Sequence, residues 1–148
     1  MKTKDFEKFS YPYRLIDVGY EIIDSNITNI NGKYTMFFKD ERETEKTIKR
    51  AISNDMVNWH IEDYIYNLDN QEAEGPFVLE TLEEKNYLFA DNYREGHIQC
   101  GEIATSGYVT NTQPIINNHI SQLGEVRHFS IIKITEEEYN KLIEYYKR

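Results

Sequence analysis

Ile27-Thr28-Asn29-Ile30-Asn31-Gly32-Lys33-Tyr34-Thr35-Met36-Phe37-Phe38 is the stretch on which the fold turns. Asn31-Gly32 stands between two runs rich in β-formers. A two-residue hairpin turn that matches strand twist needs positive φ at both positions, and Asn and Gly adopt it at least cost. Strands near 22–30 and 33–39 are therefore expected to pair. Lys46 to Ser53 and His60 to Tyr66 supply two more strands and complete a four-stranded meander. The theme returns in Phe77 to Leu82, Asn86 to Asp91, His97 to Thr105 and a weaker run near Gln113 to Ile116. Thr135 and Glu138 then form a capping box, followed by Tyr139, Leu142, Ile143 and Tyr146 at helical spacing, so a short amphipathic helix is expected to close the chain.

The second informative feature is repetition. Thr3-Lys4-Asp5-Phe6-Glu7-Lys8-Phe9 resembles Ser53-Asn54-Asp55-Met56-Val57-Asn58-Trp59, and a weaker third copy starts at Thr105, with Gly107 where Asp stood. Ile23-Asp24 resembles Ala73-Glu74 at the same offset of about 50, and Arg127-His128 follows at a similar interval. A period of this length in an all-β chain argues for radially repeated blades, because each blade needs neighbours to cover its faces. The expected architecture is one incomplete β-propeller domain over 1–148: a blade-closing segment 1–19, blades 20–66 and 67–117, and a final strand and helix 118–148. Equivalent positions on innermost strands project toward the axis, so Asp24, Glu74 and His128 are expected to meet in one pocket. Read singly, Asp24 is equally a strand-edge acid, Glu74 the start of a turn fixed by Gly75-Pro76, and His128 a satisfied core histidine. Trp59 reads as packing at a blade rim.

Composition narrows the partners. With 148 residues the chain is short for a five-bladed propeller at about 50 residues per blade. A net charge of −9, from 26 acidic and 17 basic residues, repels phosphate backbones and anionic membranes, so neither nucleic acid nor a membrane is expected as partner. A neutral, hydroxyl-rich ligand suits this surface. The single cysteine, Cys100, rules out an internal disulfide and a CxxC motif and reads as buried filler. No apolar run approaches a membrane span, and Met1-Lys2-Thr3-Lys4-Asp5 is no secretory signal, so the sequence as given reads as cytoplasmic; a signal could still lie upstream.

Thr3-Lys4-Asp5-Phe6, Ile23-Asp24, Gly32-Lys33-Tyr34 through Phe37-Phe38-Lys39-Asp40-Glu41, Ser53-x-Asp55 with Trp59, Glu74-Gly75-Pro76, Tyr87-Leu88-Phe89-x-Asp91 and Arg127-His128 form an ordered set spanning nearly the whole chain. In order and spacing it resembles the glycoside hydrolase family 43 arabinosidases and xylosidases, C-terminal portion. The resemblance implies inverting hydrolysis, in which a carboxylate base activates water and a carboxylic acid protonates the leaving oxygen. It makes Glu74 the general acid. Asp24 becomes the carboxylate that orients Glu74 and, as a nearby negative charge, keeps it protonated. Arg127 and His128 become substrate- or ion-binding residues, with His128 helping to hold a central calcium ion or a water; no cofactor is otherwise required. The implied ligand is an oligosaccharide or glycoside of arabinose or xylose.

The departures matter as much. The family's base aspartate lies in a first blade that this sequence does not contain, and Asp5 and Asp17, the acids nearest the start, do not match it. Phe129 stands where glycine is usual and is expected to crowd the axis. The chain is thus expected to be a glycosidase fragment, inactive alone; the alternative is a non-catalytic carbohydrate-binding or protein-interaction module. Two uncovered sheet faces would invite self-association or pairing with a missing N-terminal half.

Overall fold

The computed structural model describes residues 1–62, 72–114 and 128–147. Among these residues eight strands form two antiparallel meanders. The first sheet holds β1 (Ile22–Ile30), β2 (Lys33–Asp40), β3 (Ile48–Ser53) and β4 (His60–Glu62), in that order. The second holds β5 (Glu74–Glu80), β6 (Asn86–Asn92), β7 (His97–Ile103) and β8 (Val109–Pro114). Helix α1 (Glu136–Tyr146) follows, with the Thr135–Glu138 capping box formed in both directions. Among the described residues this is an all-β, propeller-like fold with one short C-terminal helix. The continuations of β4 and β8 expected at 63–66 and 115–116 lie outside the described residues.

Asn31 and Gly32 have φ of 52° and 80°, and Ile30 pairs with Lys33, so the hairpin closes as its turn chemistry demands. Strand alternation then sorts the side chains. Phe37 and Ile48 of the first sheet meet Leu88, Ala90 and Ile103 of the second in a core between the sheets. Met36, Phe38 and Ala51 face the other way, under Leu15, Ile16, Val18 and Tyr20 of the N-terminal segment, with Trp59 packed against them. Phe77, Phe89 and Ile98 form a third cluster on the far side of the second sheet, where Cys100 packs half-buried. Burial pushes the Cys100 thiol up to about 11.

The repeated turn is real at the level of hydrogen bonds. The Thr3 hydroxyl accepts from the amides of Asp5 and Phe6, and Asp5 Oδ1 from Glu7 and Lys8. Ser53 and Asp55 accept in the same pattern from Asp55, Met56, Val57 and Asn58. Phe6 and Met56 share φ near +60°, at 59° and 60°. Ser10 N–H donates to Lys2 O, a contact in the place of the Ile52–His60 pair that joins β3 to β4. The third copy differs: with glycine at 107 there is no carboxylate to gather amides, and the chain closes a tighter turn, Gly107 N–H to Ala104 O.

Each innermost strand carries a bulge. Between the pairs Ile23–Lys39 and Asn26–Phe37, two residues of β1 face one of β2; between Glu74–Asp91 and Phe77–Phe89, two of β5 face one of β6. The first bulged residue has positive φ in both, Asp24 at 52° and Gly75 at 57°. The structural equivalent of Asp24 is therefore Gly75, and that of Glu74 is Ile23. The alignment of Asp24 with Glu74 is one residue out, because similarity of side-chain charge masked the backbone equivalence.

Candidate active site

The two bulges bring the two carboxylates together despite that offset. Asp24 sits at the bulge itself, and its Oδ2 accepts the Gly75 amide at 3.1 Å, a bond from one blade to the next. Glu74 stands one residue before the second bulge. His128, from the segment 128–130, completes the group: its Nε2 is 2.9 Å from Glu74 Oε1 and 3.9 Å from Asp24 Oδ2. One ligand-type atom from each of the three lies within 4.8 Å of the others. Arg127 lies outside the described residues.

Gly75 is required twice. Its φ of +57° is a conformation L side chains rarely adopt, and a Cβ there would stand 3.0 Å from the imidazole of His128. The Glu-Gly-Pro sequence is thus a bulge that lets a histidine ring lie against backbone.

Asp24, Gly75, His128 and Ser130 line an open cavity of about 290 Å³. Glu74 is set behind that wall and meets the cavity side through His128. A second cavity, about 860 Å³, lies under the N-terminal segment beside Tyr13, Leu15 and Met56. It is larger, but its titratable side chains are Lys2, Lys4, Lys8 and Tyr13 with the single carboxylate Asp5, which its own turn holds, so the smaller one is the chemical candidate.

Sequence reasoning missed Lys39. Thr35, Phe37 and Lys39 alternate onto the face of β2 that meets the second sheet, and a lysine in that row must find carboxylates. Its ammonium, with only 5% of the side chain exposed, lies 2.9 Å from Glu74 Oε2 and 3.1 Å from Glu41 Oε2, over the Tyr93 ring at 4.8 Å. Lys46 holds the other oxygen of Glu41 at 2.8 Å, while its backbone carbonyl accepts the Ala73 amide beside Glu74. The inward phase of Lys39 was the available signal.

This changes the electrostatics expected of Glu74. Burial by itself pushes its carboxyl up, but the Lys39 ammonium and then His128 outweigh it, and the net direction is down. Lys39 behaves reciprocally: burial lowers its value, and Glu74 and Glu41 raise it above the ordinary lysine range. A Glu74 kept protonated by Asp24 is not what the geometry gives. Phe129 lines the same cavity, and its ring turns edge-on to Phe77 at 5.1 Å and packs against the third apolar cluster. Calcium is a poor fit to the three convergent groups. It takes six to eight oxygens, whereas one of the three donors is a nitrogen and Glu74 already carries an ammonium.

The chain is similar in fold to the α-L-arabinofuranosidase of Podospora anserina in complex with cellotriose, at 17% identity and TM-score 0.50, over 63% of this chain and 31% of that one. It also matches the exo-β-1,3-galactanase of Phanerochaete chrysosporium with β-1,3-galactotriose, at 14% identity and TM-score 0.45, over 61% of this chain and 25% of that one. It therefore aligns with about a third of the first structure and a quarter of the second. No curated protein matches it significantly. The model of a family described as a probable glycosyl hydrolase domain, related to glycoside hydrolase family 43, matches residues 1–140, and the chain belongs to that family.

Proposed function

We propose that this domain carries the proton-donating side of a glycoside-processing site, for an oligosaccharide or glycoside of arabinose or xylose. The observation that supports it is the convergence of Asp24, Glu74 and His128 from three separate segments, beside a polar cavity that Asp24 and His128 line. Glu74 is the group that exchanges a proton with the glycosidic oxygen. Asp24, anchored by the Gly75 amide, lies 3.9 Å from His128 Nε2 and orients the ring beside Glu74. His128 stands between Glu74 and the cavity, so either the proton crosses the imidazole, taken up from Glu74 at Nε2 and released from Nδ1, or the ring swings aside.

On this reading the base is none of the described acids near the site or near the start of the chain. An inverting pair stands about 6.5–9.5 Å apart, whereas an oxygen of Asp24 and one of Glu74 lie within 4.8 Å of each other, leaving no room for an attacking water between them. Asp5 gathers the amides of its own turn, and Asp17 is taken by Arg14 and the Gly19 amide. Neither lines the site cavity. The isolated chain should therefore not turn over aryl arabinosides or xylosides, since each missing acid–base group is worth about 10²–10⁴-fold. Turnover by purified chain that Glu74→Gln abolishes would refute this.

A second reading, sugar binding without chemistry, is favoured by the Lys39–Glu74 ion pair. A carboxylate held charged accepts hydroxyl hydrogen bonds well and gives up no proton. Saturable sugar binding that Glu74→Gln removes, with no turnover even when the rest of a family 43 propeller is added, would select it.

A further inference from the structure

Lys39 stands in the Phe37-Phe38-Lys39-Asp40-Glu41 run that carries part of the family resemblance, yet that resemblance gives it no role. Its ammonium is buried between the two sheets and reaches Glu74 Oε2 at 2.9 Å, the oxygen on the far side from His128. Lys39 is itself held by Glu41, which Lys46 secures in turn. The row Lys39–Glu41–Lys46 thus braces Glu74 from behind, while Asp24 and His128 face it from the front. We propose that Lys39 is a positioning residue of this site, fixing the Glu74 carboxylate through Oε2 so that Oε1 alone is presented toward His128 and the ligand.

The inference rests on the reading of Glu74 as the group that exchanges a proton with the sugar. It adds a regulation which that reading lacks. Among the described residues, the charged groups around Glu74 include Asp24 from β1, Lys39 from β2 and His128; those around Lys39 include Glu74 and Glu41, with the Tyr93 ring and, further off, Glu72. Among the described residues Lys39 is the closest fixed cation to Glu74, within hydrogen-bond distance and shielded from solvent, where a charge is screened least. With Lys39 in place, Glu74 meets a ligand as a hydroxyl acceptor near neutral pH and becomes a proton donor only in acid. Withdrawal of Lys39, or its neutralisation, turns the same carboxyl into a donor at higher pH.

The test is a carboxyl ¹³C NMR titration of Glu74 in the 148-residue chain, assigned by loss of the signal in Glu74→Gln. In the unsubstituted protein the midpoint should lie below the ordinary glutamate value of about 4.3. In Lys39→Met it should rise by roughly 1–3 pH units, the range for loss of an opposite charge at contact. A Lys39→Met protein that melts earlier but keeps the Glu74 midpoint would overturn the proposal, because a purely structural lysine does only that. If Lys39→Met does not fold, the ¹⁵Nζ shift of Lys39 in the unsubstituted protein decides. It should follow the Glu74 titration, and a Lys39 signal indifferent to it would equally overturn the proposal. No sugar is present in either measurement, so their outcome is separate from whether the domain recognises a glycoside.

Discussion

Asp24 pays for its position with backbone strain, since aspartate at a φ of 52° occupies the place that glycine holds in the neighbouring blade. What offsets that strain is the bond from the Gly75 amide to its carboxylate. Asp24→Asn should keep both the tolerated φ and an acceptor, and so fold almost normally. Asp24→Ala should lose both and cost about 1–3 kcal/mol in denaturant unfolding. Gly75→Ala should cost a similar amount, about 1–3 kcal/mol, and should also move the His128 ring signals. Equal stability of Asp24→Ala and Asp24→Asn would show that neither φ nor hydrogen bond matters there. At this scale the sequence was partly legible. Glu74 and His128 stood out because their neighbours form short patterns, Glu-Gly-Pro and Arg-His. Lys39 did not, because its importance lies in which side of β2 it faces and in Glu74 lying opposite, a tertiary fact.

At the scale of elements, hairpins and caps were read directly from turn chemistry. Asn31-Gly32 and Thr135-x-x-Glu138 fix their own backbone through contacts two to four residues away, so no distant partner is needed to see them. The start of β5 was placed late, at Phe77, because Gly75-Pro76 reads as a turn; the bulge lets the strand begin at Glu74. The start of β3 was placed early, at Lys46, whose φ of 47° ends the preceding loop, so that the strand begins at Ile48. The twin turns at Thr3–Lys8 and Ser53–Asn58 invite a comparison. Ser53→Ala removes a hydroxyl that holds two amides beside buried β3 and should cost about 0.5–2 kcal/mol, as loss of a helix cap does. Thr3→Ala breaks the same bonds in an exposed segment and should change the melting temperature much less. Equal losses in thermal unfolding would mean that the N-terminal turn is as firmly integrated as the one between β3 and β4.

For the whole molecule, charge sets the acid limit. Burial alone raises the Asp40 carboxyl, but Arg42 and Lys49 hold it below its ordinary value; the Lys46 ammonium does the same for Glu41, and Lys39 for Glu74. Carboxyls depressed in the folded state contribute stability that is complete above their unfolded values, about 4, and is lost as pH falls through the folded ones. The melting temperature should stay level between about pH 8 and 5 and drop below about pH 4. A rise on acidification from about pH 5 to 3 would contradict this assignment of the ion pairs. Phe6, Phe9 and Tyr11 leave an exposed aromatic strip at the N-terminal hairpin, with Tyr11 93% exposed, where Trp59 at the matching turn is packed. Sedimentation should therefore show concentration-dependent association that Phe9→Ser with Tyr11→Ser weakens.

The central claim, one sugar-facing site built by Asp24, Glu74 and His128 across two blades, is tested most directly by amide NMR of the 148-residue chain titrated with arabino- and xylo-oligosaccharides. Ligand to roughly 50 mM detects dissociation constants near 10 mM, about −2.7 kcal/mol, as half a pocket would give. The account predicts saturable shifts confined to Asp24–Asn26, Gly75, Phe77 and the 128–130 segment, abolished in Glu74→Gln. Saturable shifts that map elsewhere, or that survive Glu74→Gln and His128→Ala together, would contradict it.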